Sequence, residues 1–202
     1  MDFCPWFSFC LDGFRIDFMI ETDRLILRPF EMSDARDVFE YLNEPVVNCF
    51  SSMRLPSLEE AKAEMEKRSK DREYYFAITL KDNGKVIGEI FAYPENPSCE
   101  DENSSSDTFS PCWMLNQNYT RQGFAYEAAY AFFDYLFGEK GARRIYAYTE
   151  DYNIASQRLC EKLGMRREGL FKEFVSFVND PEGNPIYENT AVYALLKKEW
   201  LK

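Results

Sequence analysis

The chain has 202 residues, the size of one ordinary domain. Its 46% hydrophobic and 17% aromatic residues support a sizeable core and exclude disorder for most of its length. The chain has no histidine, which excludes Ser-His-Asp and Cys-His catalysis and histidine-ligated zinc or iron centres. We therefore expect no metal site, and any proton transfer must use carboxylate, Tyr, Ser, Cys, Lys or water.

Charge and cysteine usage restrict the partners and the compartment. The 24 Lys and Arg residues against 35 Asp and Glu residues give a net charge of −11, which is unsuited to nucleic-acid binding. This acidity suits a cationic partner, although it also serves solubility alone. The six cysteines form no Cys-x-x-Cys pair, and a chain of this size needs no disulfide. We expect reduced thiols and a cytoplasmic location.

The first twenty residues are rich in aromatic side chains but do not read as a targeting segment. Charged residues and Pro5 interrupt the apolar run, so it is unsuited to spanning a membrane. It also lacks the basic start and the cleavage site of a signal peptide. Two interpretations remain open: an extension that packs on the domain, or an upstream start codon with Met19 as the natural first residue. The domain itself is predicted to span 21–202.

The first part of this domain predicts a strand followed by two helices. A short apolar run at 24–29 ends in proline and is typical of a strand. Ser33 is predicted to cap the first helix, which has apolar residues at helical spacing. After a loop at 43–56, Ser57 and Glu60 have the spacing of a capping box at the start of the second helix.

Three strands are predicted next. Those at 74–80 and 86–93 are joined by an Asn-Gly turn at 83–84, the strongest short hairpin signal. The polar, acidic stretch at 94–107 predicts a surface loop. The third strand is predicted at 109–115.

The remaining elements complete one mixed α/β domain. A strand is predicted at 144–149, between two helices that begin after Gly123 and at Asn153. The last two strands, at 171–178 and 191–196, are predicted to pair antiparallel through a turn at 180–183. No repeat or linker divides the chain.

The segment from Trp113 to Phe137 carries the first functional signal. A strand leads through a short loop to Gly123, and the helix that follows has one wholly apolar face. Glycine tolerates positive φ and leaves the backbone open to a ligand. The free N–H groups and dipole of a helix start suit a diphosphate. A tight turn that needs glycine for geometry alone stays an open alternative, since neither common nucleotide-binding motif occurs.

A second segment adds to this signal. Asn153 is a natural helix cap that directly follows the strand at 144–149. Ala155, Leu159 and Leu163 are spaced to form a buried stripe, and Gly164 is suited to end the helix in the left-handed conformation.

With these segments the chain resembles the GNAT superfamily of acetyl-CoA-dependent N-acetyltransferases, especially the branch of the ribosomal-protein-alanine N-acetyltransferases. The resemblance covers roughly residues 21–200. It implies an α/β acyl-CoA N-acyltransferase fold: a mixed, mostly antiparallel sheet with a V-shaped split, flanked by about four helices. The matching segments are Glu21–Pro29, Val86–Ile90, Gly123–Ala128, Asn153–Met165 and Ala191–Trp200.

The resemblance also implies where acetyl-CoA binds, namely between the strands that end at Leu115 and begin at Arg144. The diphosphate is expected on the N–H groups at the helix start, and the pantetheine arm beside the strand. The N–H of Leu115 is expected to polarise the thioester carbonyl. Arg143, Arg144, Arg158 and Lys162 are candidates for a ribose phosphate. The implied acetyl-CoA-binding residues are Trp113, Met114, Leu115, Arg121, Gln122, Gly123, Phe124, Ala125, Tyr126, Asn153 and Arg158.

The chain departs from the family pattern at three places. Thr120 stands where members often have Gln or Arg, and Cys160 stands where many have a Tyr that protonates the leaving thiolate. Ser156 is the substitute acid, whereas Cys160 is interpreted as a packing thiol. The strand at 108–115 also carries no carboxylate, where other members place a general base.

The general base must therefore come from elsewhere. Glu89 is our first candidate because its strand adjoins the strand beside the thioester. Glu150 and Asp151, after the strand at 144–149, are the reserve. Glu89 also has a structural interpretation, in which it only braces a loop by hydrogen bonds.

The predicted activity is transfer of an acetyl group from acetyl-CoA to a primary amine by direct attack in a ternary complex. The acceptor is expected to be a protein N-terminus or a small cationic amine, bound by residues 44–56 and 172–190. The alternative is a CoA-binding sensor or interaction module that has lost turnover. We expect no nucleic acid and no membrane as partners, and a homodimer remains open.

Overall fold

The computed structural model describes residues 18–95 and 106–200, and the domain has the predicted mixture of helices and strands. Short 3-10 turns at Met32–Asp34, Asn48–Met53 and Gln117–Tyr119 connect some of these elements. The elements in chain order are β1 (Ile20–Glu21), β2 (Leu25–Arg28), α1 (Ala35–Leu42), α2 (Leu58–Arg68), β3 (Tyr75–Leu80), β4 (Val86–Phe91), β5 (Pro94–Glu95), β6 (Thr108–Phe109), β7 (Cys112–Leu115), α3 (Phe124–Gly138), β8 (Arg144–Glu150), α4 (Ile154–Lys162), β9 (Arg166–Asn179), β10 (Pro185–Leu196) and α5 (Lys197–Trp200).

The strands form two five-stranded sheets, with the orders β1-β2-β3-β4-β7 and β5-β6-β8-β10-β9. Among the described residues, β6 and β8 make the one parallel pair, and the other pairs are antiparallel. The expectation of a mixed, mostly antiparallel sheet with a split is confirmed.

The split arises where one strand was predicted. The prediction of a continuous strand at 109–115 is wrong, because β6 pairs with β8 while β7 pairs with β4 of the other sheet. Pro111 lies between them, and it has no N–H to continue either ladder. β7 approaches β4 closely at Gly88, where a side chain would not fit, since a Cβ there would lie 2.2 Å from the carbonyl oxygen of Met114. β7 and β8 therefore diverge as the two walls of a V.

Each face of the first sheet supports its own core. Helix α3 buries Phe132, Phe133 and Leu136 in a large core against both sheets, as its apolar face predicts. Helices α1 and α2 bury Val38 and Met65 in a second core on the opposite face. Each such side chain contributes roughly 1.5–3 kcal/mol by leaving water.

Several local predictions are confirmed by backbone geometry. The hairpin at Asn83 has Gly84 at φ +74°, and the helix ending at Gly164 has φ +81° there. Ser57 caps α2 by accepting a hydrogen bond from the N–H of Glu60. The turn at 180–183 closes with the N–H of Gly183 donating to the carbonyl of Asp180.

Other local predictions need correction. Ser33 does not cap the first helix, because Asp34 accepts the hydrogen bond of the Glu31 N–H and pairs with Arg28. The stretch at 94–107 is not all loop, since β5 and β6 pair at its ends; 96–105 lie outside the described residues. The last two strands extend well beyond the predicted ranges. No helix among the described residues is long and apolar enough to cross a membrane.

The N-terminal boundary lies earlier than the predicted start at Glu21. Phe18 stacks on Tyr135 at 4.6 Å between ring centroids and meets Phe76 edge-on at 6.4 Å. Ile20 pairs with Leu27 of β2. The domain therefore includes Phe18, whereas 1–17 lie outside the described residues and the predicted extension there stays a prediction.

The first testable prediction concerns this boundary. Phe18→Ala removes the stacked ring, and we expect the free energy of unfolding to fall by about 1–2 kcal/mol. Met19 is 43% exposed, so Met19→Ala is the matched control and should change stability by less than about 0.5 kcal/mol. Urea unfolding of both variants measures the difference. Equal stabilities would show that Phe18 is not part of the domain core.

Candidate active site

A single large cleft occupies the V between β7 and β8. Its volume is about 1510 Å³, and its walls come from β7, the loop before α3, the start of α4 and the 3-10 turn at Asn48–Met53. Small-molecule pockets usually measure roughly 300–1,000 Å³. This cleft is therefore large enough for an extended ligand together with a second molecule.

β7 turns one edge of its backbone toward the split. The N–H of Asn116 donates to the carbonyl oxygen of Ile87 at 2.8 Å, on the β4 side. Successive N–H groups along a strand point to opposite sides. The N–H groups of Leu115 and Trp113 therefore point away from β4 and toward the split, as donors for a ligand lying along the strand.

The loop before α3 has the geometry of an anion site. Gly123 has φ +86° and immediately precedes the helix, so the first-turn N–H groups face its exposed backbone. Arg121 also has a left-handed φ of +60°. A Cβ at Gly123 would meet only the Arg24 guanidinium within 4 Å, at 3.3 Å. The exposed backbone and the helix dipole together fit a diphosphate.

Helix α4 forms the wall of the cleft that faces the start of α3. Asn153 caps it by accepting a hydrogen bond from the N–H of Ser156 at 3.1 Å, as predicted. Arg158 and Lys162 line the cleft, and the Lys162 ammonium lies 4.1 Å from the ring centroid of Tyr126. Ala155 was predicted in the buried stripe, but it is exposed and lines the cleft instead.

Two of the predicted basic residues are not near the helix start. Arg143 pairs with Asp107 at 3.0 Å, and Arg144 pairs with Glu168, both at the closed end of the split. The expectation that they meet a ribose phosphate is therefore wrong, because their partners hold them beside the β6–β8 pair.

Most of the predicted site residues meet in this one cleft. Among the described residues, five predicted ones do not line it: Gln122, Glu89, the reserve base Asp151, and the two arginines Arg143 and Arg144. The Gln122 side chain donates a hydrogen bond to the carbonyl oxygen of Asn118. The Glu89 side chain is buried on the sheet face that packs against α1 and α2. The cleft is lined by the predicted Trp113, Met114, Leu115, Arg121, Gly123, Phe124, Ala125, Tyr126, Asn153, Ser156 and Arg158.

Glu89 is the centre of a buried ion-pair network. It is 1% exposed, and its carboxylate accepts hydrogen bonds from Arg68 at 2.6 Å, Tyr75 at 2.7 Å and Tyr41 at 2.9 Å. Burial and the Glu89 charge raise the pKa of both tyrosines, which therefore stay protonated donors. The network joins α1, α2, β3 and β4, and this geometry favours the bracing role over the role of base.

Among the described residues, three carboxylates line the cleft: the exposed Glu40 and Glu44, and the buried Glu150. Glu150 lies at the end of β8 and is 6% exposed. Burial, together with the charge of Glu150, raises the pKa of the Cys49 thiol. Burial, with the charges of Glu89 and Glu150, raises the pKa of Cys112 to about 12. Two protonated thiols therefore lie near this carboxylate.

At the other end of the cleft, hydrogen bonds connect the 3-10 turn at Asn48–Met53 to the β9–β10 hairpin. Glu188 of β10 accepts hydrogen bonds from Asn48 at 2.6 Å and from Tyr152 at 3.1 Å. Ser51 donates to the carbonyl of Phe177 on β9. These bonds fix the 3-10 turn over the hairpin, within the predicted acceptor segments 44–56 and 172–190.

The cysteines behave as predicted where the structure describes them. Cys49, Cys112 and Cys160 are free thiols, and Cys4, Cys10 and Cys99 lie outside the described residues. Cys160 is fully buried in the core of α3, and burial raises its pKa to about 12. It therefore stays a protonated packing thiol.

Sequence reasoning missed the residues whose partners are far along the chain. Arg68 and Tyr41 read as parts of ordinary helices, and Arg24 read as the start of a strand. Their partners in the fold lie 21, 48 and 103 residues away in sequence. An Arg in an apolar helix face, as at Arg68, was the one available signal.

Comparison with known proteins agrees with this fold. Residues 24–166 match the family model described as the acetyltransferase (GNAT) domain. The chain is 35% identical over 181 residues to the uncharacterized N-acetyltransferase YnaD of Bacillus subtilis, covering 90% of this chain and 98% of that protein.

Solved structures give the same result. A GNAT-family acetyltransferase from Bacillus anthracis has a TM-score of 0.75 and 29% identity, over 90% of this chain and 100% of that one. RimL, a ribosomal L7/L12 alpha-N-protein acetyltransferase in complex with coenzyme A, shares the fold with a TM-score of 0.67 at 15% identity, over 89% and 98% of the two chains. The chain belongs to the GNAT family of N-acetyltransferases.

The second prediction tests the role of Glu89. Glu89→Gln leaves the buried Arg68 with only the partly exposed Glu64, at 3.0 Å, as counter-ion, and we expect a loss of about 3 kcal/mol in unfolding free energy. Glu73 is 65% exposed and pairs with Lys140 at the surface, so Glu73→Gln should cost less than about 1 kcal/mol. Denaturant unfolding compares the two. A Glu89→Gln protein of normal stability would contradict the bracing role.

Proposed function

We propose that this N-acetyltransferase transfers the acetyl group of acetyl-CoA directly to the primary amine of a second substrate bound in the same cleft. The observation that carries the proposal is a continuous path of backbone N–H groups along the cleft. The outward edge of β7 leads directly to the left-handed Gly123 and the N-terminus of α3. One extended ligand with a diphosphate at one end matches that arrangement.

Binding of the donor is assigned to three parts of the chain. The backbone of 121–126 would hold the diphosphate, and the outward edge of Trp113–Leu115 would pair with the pantetheine arm. Asn153, Arg158 and Lys162 would contact the donor from α4. Acetyl-CoA supplies the activated thioester. The bound coenzyme A of the RimL relative supports the choice of a CoA donor.

The N–H of Leu115 would stabilise the developing charge. A fixed backbone donor aimed at the thioester oxygen favours the transition state over the bound substrate. Ser156 would protonate the departing sulfur, since its hydroxyl lines the cleft on α4. Both assignments follow the sequence-based prediction.

The proton of the attacking amine is assigned to Glu150 instead of Glu89. An ammonium group must lose a proton before it attacks. Glu150 lines the cleft near Cys112 at the start of β7, whereas the diphosphate loop follows the end of β7. The thioester would therefore lie between the diphosphate loop and this carboxylate.

The acceptor is proposed to be the N-terminus of a polypeptide. Tyr148 and Phe177 line the acceptor end of the cleft while remaining partly exposed. Phe174 lies 5.9 Å from Tyr148 and 4.9 Å from Phe171 between ring centroids, which extends the aromatic surface outward. An exposed aromatic surface continuous with a cleft suits residues that follow the reacting amine. The RimL relative acts on a ribosomal protein. Glu150 and the acidic chain suit a basic segment, and we keep the cytoplasmic location as a prediction.

Release of free coenzyme A tests the activity. The full chain is mixed with acetyl-CoA and a panel of basic peptides, polyamines and aminosugars, and products are identified by mass. Acetylation at a peptide α-amine supports the proposal, and preference for a small amine would replace the acceptor class. A thermal shift with coenzyme A but no turnover across the panel would favour the CoA-binding sensor instead.

The third prediction concerns Gly123. Gly123→Ala adds a Cβ at a φ of +86° in the proposed diphosphate loop. We expect the thermal shift caused by coenzyme A to fall by at least half, since a ligand stabilises only as far as it binds. Gly84→Ala is the matched control, because Gly84 has φ +74° in open space at a hairpin. A normal coenzyme A shift in folded Gly123→Ala would contradict the diphosphate assignment.

The fourth prediction concerns Glu150. Glu150→Gln keeps the shape of the side chain but cannot accept a proton, and we expect kcat to fall about 10²–10⁴-fold. The dissociation constant for coenzyme A should stay within twofold. Asp151→Asn is the control, since the Asp151 carboxylate accepts a hydrogen bond from Asn189 instead. Unchanged rates in Glu150→Gln at every pH would remove Glu150 from the mechanism.

A further inference from the structure

The start of α3 contains a charge that opposes the proposed ligand. Glu127 lies in the first turn of this helix, four residues after Gly123. A carboxylate there stabilises an isolated helix by complementing its dipole. It also repels a diphosphate bound at the same helix start, so anion binding requires that this charge be compensated.

Residues 22–24, just before β2, provide that compensation. The Glu127 carboxylate accepts hydrogen bonds from the Thr22 hydroxyl at 2.6 Å, the Arg24 N–H at 2.8 Å and the Arg24 Nε at 2.7 Å. The Arg24 Nη2 completes a two-pronged ion pair at 2.6 Å. Burial alone would raise the pKa of Glu127, but these bonds outweigh it and lower the pKa. Glu127 is therefore ionised and fully paired.

The same arginine also holds the loop. Its Nη1 donates to the carbonyl oxygen of Gln122 at 3.0 Å, and its guanidinium lies 4.4 Å from the ring centroid of Phe124. Arg24 thus contacts the residue before Gly123, the residue after it and the first turn of the helix. A planar guanidinium can make these bonds at once, whereas an ammonium cannot.

We propose that Arg24 is a positioning residue for donor binding: it orients the 121–126 backbone and neutralises Glu127 so that the helix start accepts an anion. This inference rests on the proposed function. Arg24 need not touch the bound acetyl-CoA, because its guanidinium N–H groups are already directed at Glu127 and Gln122. Its effect is transmitted through the loop.

A double-variant cycle separates this role from a purely structural one. Arg24→Met removes the clamp and leaves the Glu127 charge uncompensated, so we expect the dissociation constant for coenzyme A to rise about tenfold or more. Adding Glu127→Gln removes the repelling charge, so the double variant should bind coenzyme A more tightly than Arg24→Met alone. Arg24→Lys should recover little, since it restores charge without the fork.

Titration calorimetry with coenzyme A and the melting temperature of the free protein are both measured. Lys81→Met is the control, because it breaks another partly exposed ion pair, with Glu21, beside the same strands. The proposal is overturned if Arg24→Met binds coenzyme A normally. It is also overturned if the double variant binds as weakly as Arg24→Met while both lose stability equally. Wild-type protein that binds no coenzyme A would refute the proposed function itself.

Discussion

The absent N–H of Pro111 is the constraint on which the rest of the molecule depends. A strand that begins in one sheet cannot continue its ladder through a proline, so the chain leaves β8 at Phe109 and joins β4 from Cys112 onward. The two sheets stay joined at this point and diverge beyond it. The cleft, its outward N–H groups and the placement of α3 all follow from that divergence.

Charge is distributed along the cleft in a manner consistent with two different ligands. At the α3 end, helix dipole, Arg158 and Lys162 give a positive environment, and Arg24 cancels the one carboxylate in the first turn of α3. At the opposite end, the buried Glu150 lines the cleft and lies near the protonated Cys49 thiol. Thiols neutralise a carboxylate far less than an arginine does. The proposed anionic donor and cationic acceptor would therefore bind at opposite ends of the cleft.

The sequence was most informative where function depends on local backbone geometry. The conformations of Gly123, Asn153 and Gly164 depend on one or two neighbouring residues, so short motifs predicted their backbone geometry, and Gly123 and Asn153 line the cleft. Local patterns could not decide whether Glu89 or Glu150 faces the cleft. A strand has two faces, and only tertiary packing decides what covers each of them. Arg68 occupies the face below Glu89, whereas the split opens beside Glu150.

The lack of histidine explains why the two carboxylates have such different surroundings. Glu89 is buried and accepts hydrogen bonds from an arginine and two tyrosines, so it stabilises the fold and is not among the residues that line the cleft. Glu150 lines the cleft near the protonated Cys49 thiol, where an arriving ammonium group would meet it. The arriving ammonium would itself be the counter-ion of Glu150. Attraction of the acceptor and removal of its proton would then both depend on the Glu150 carboxylate.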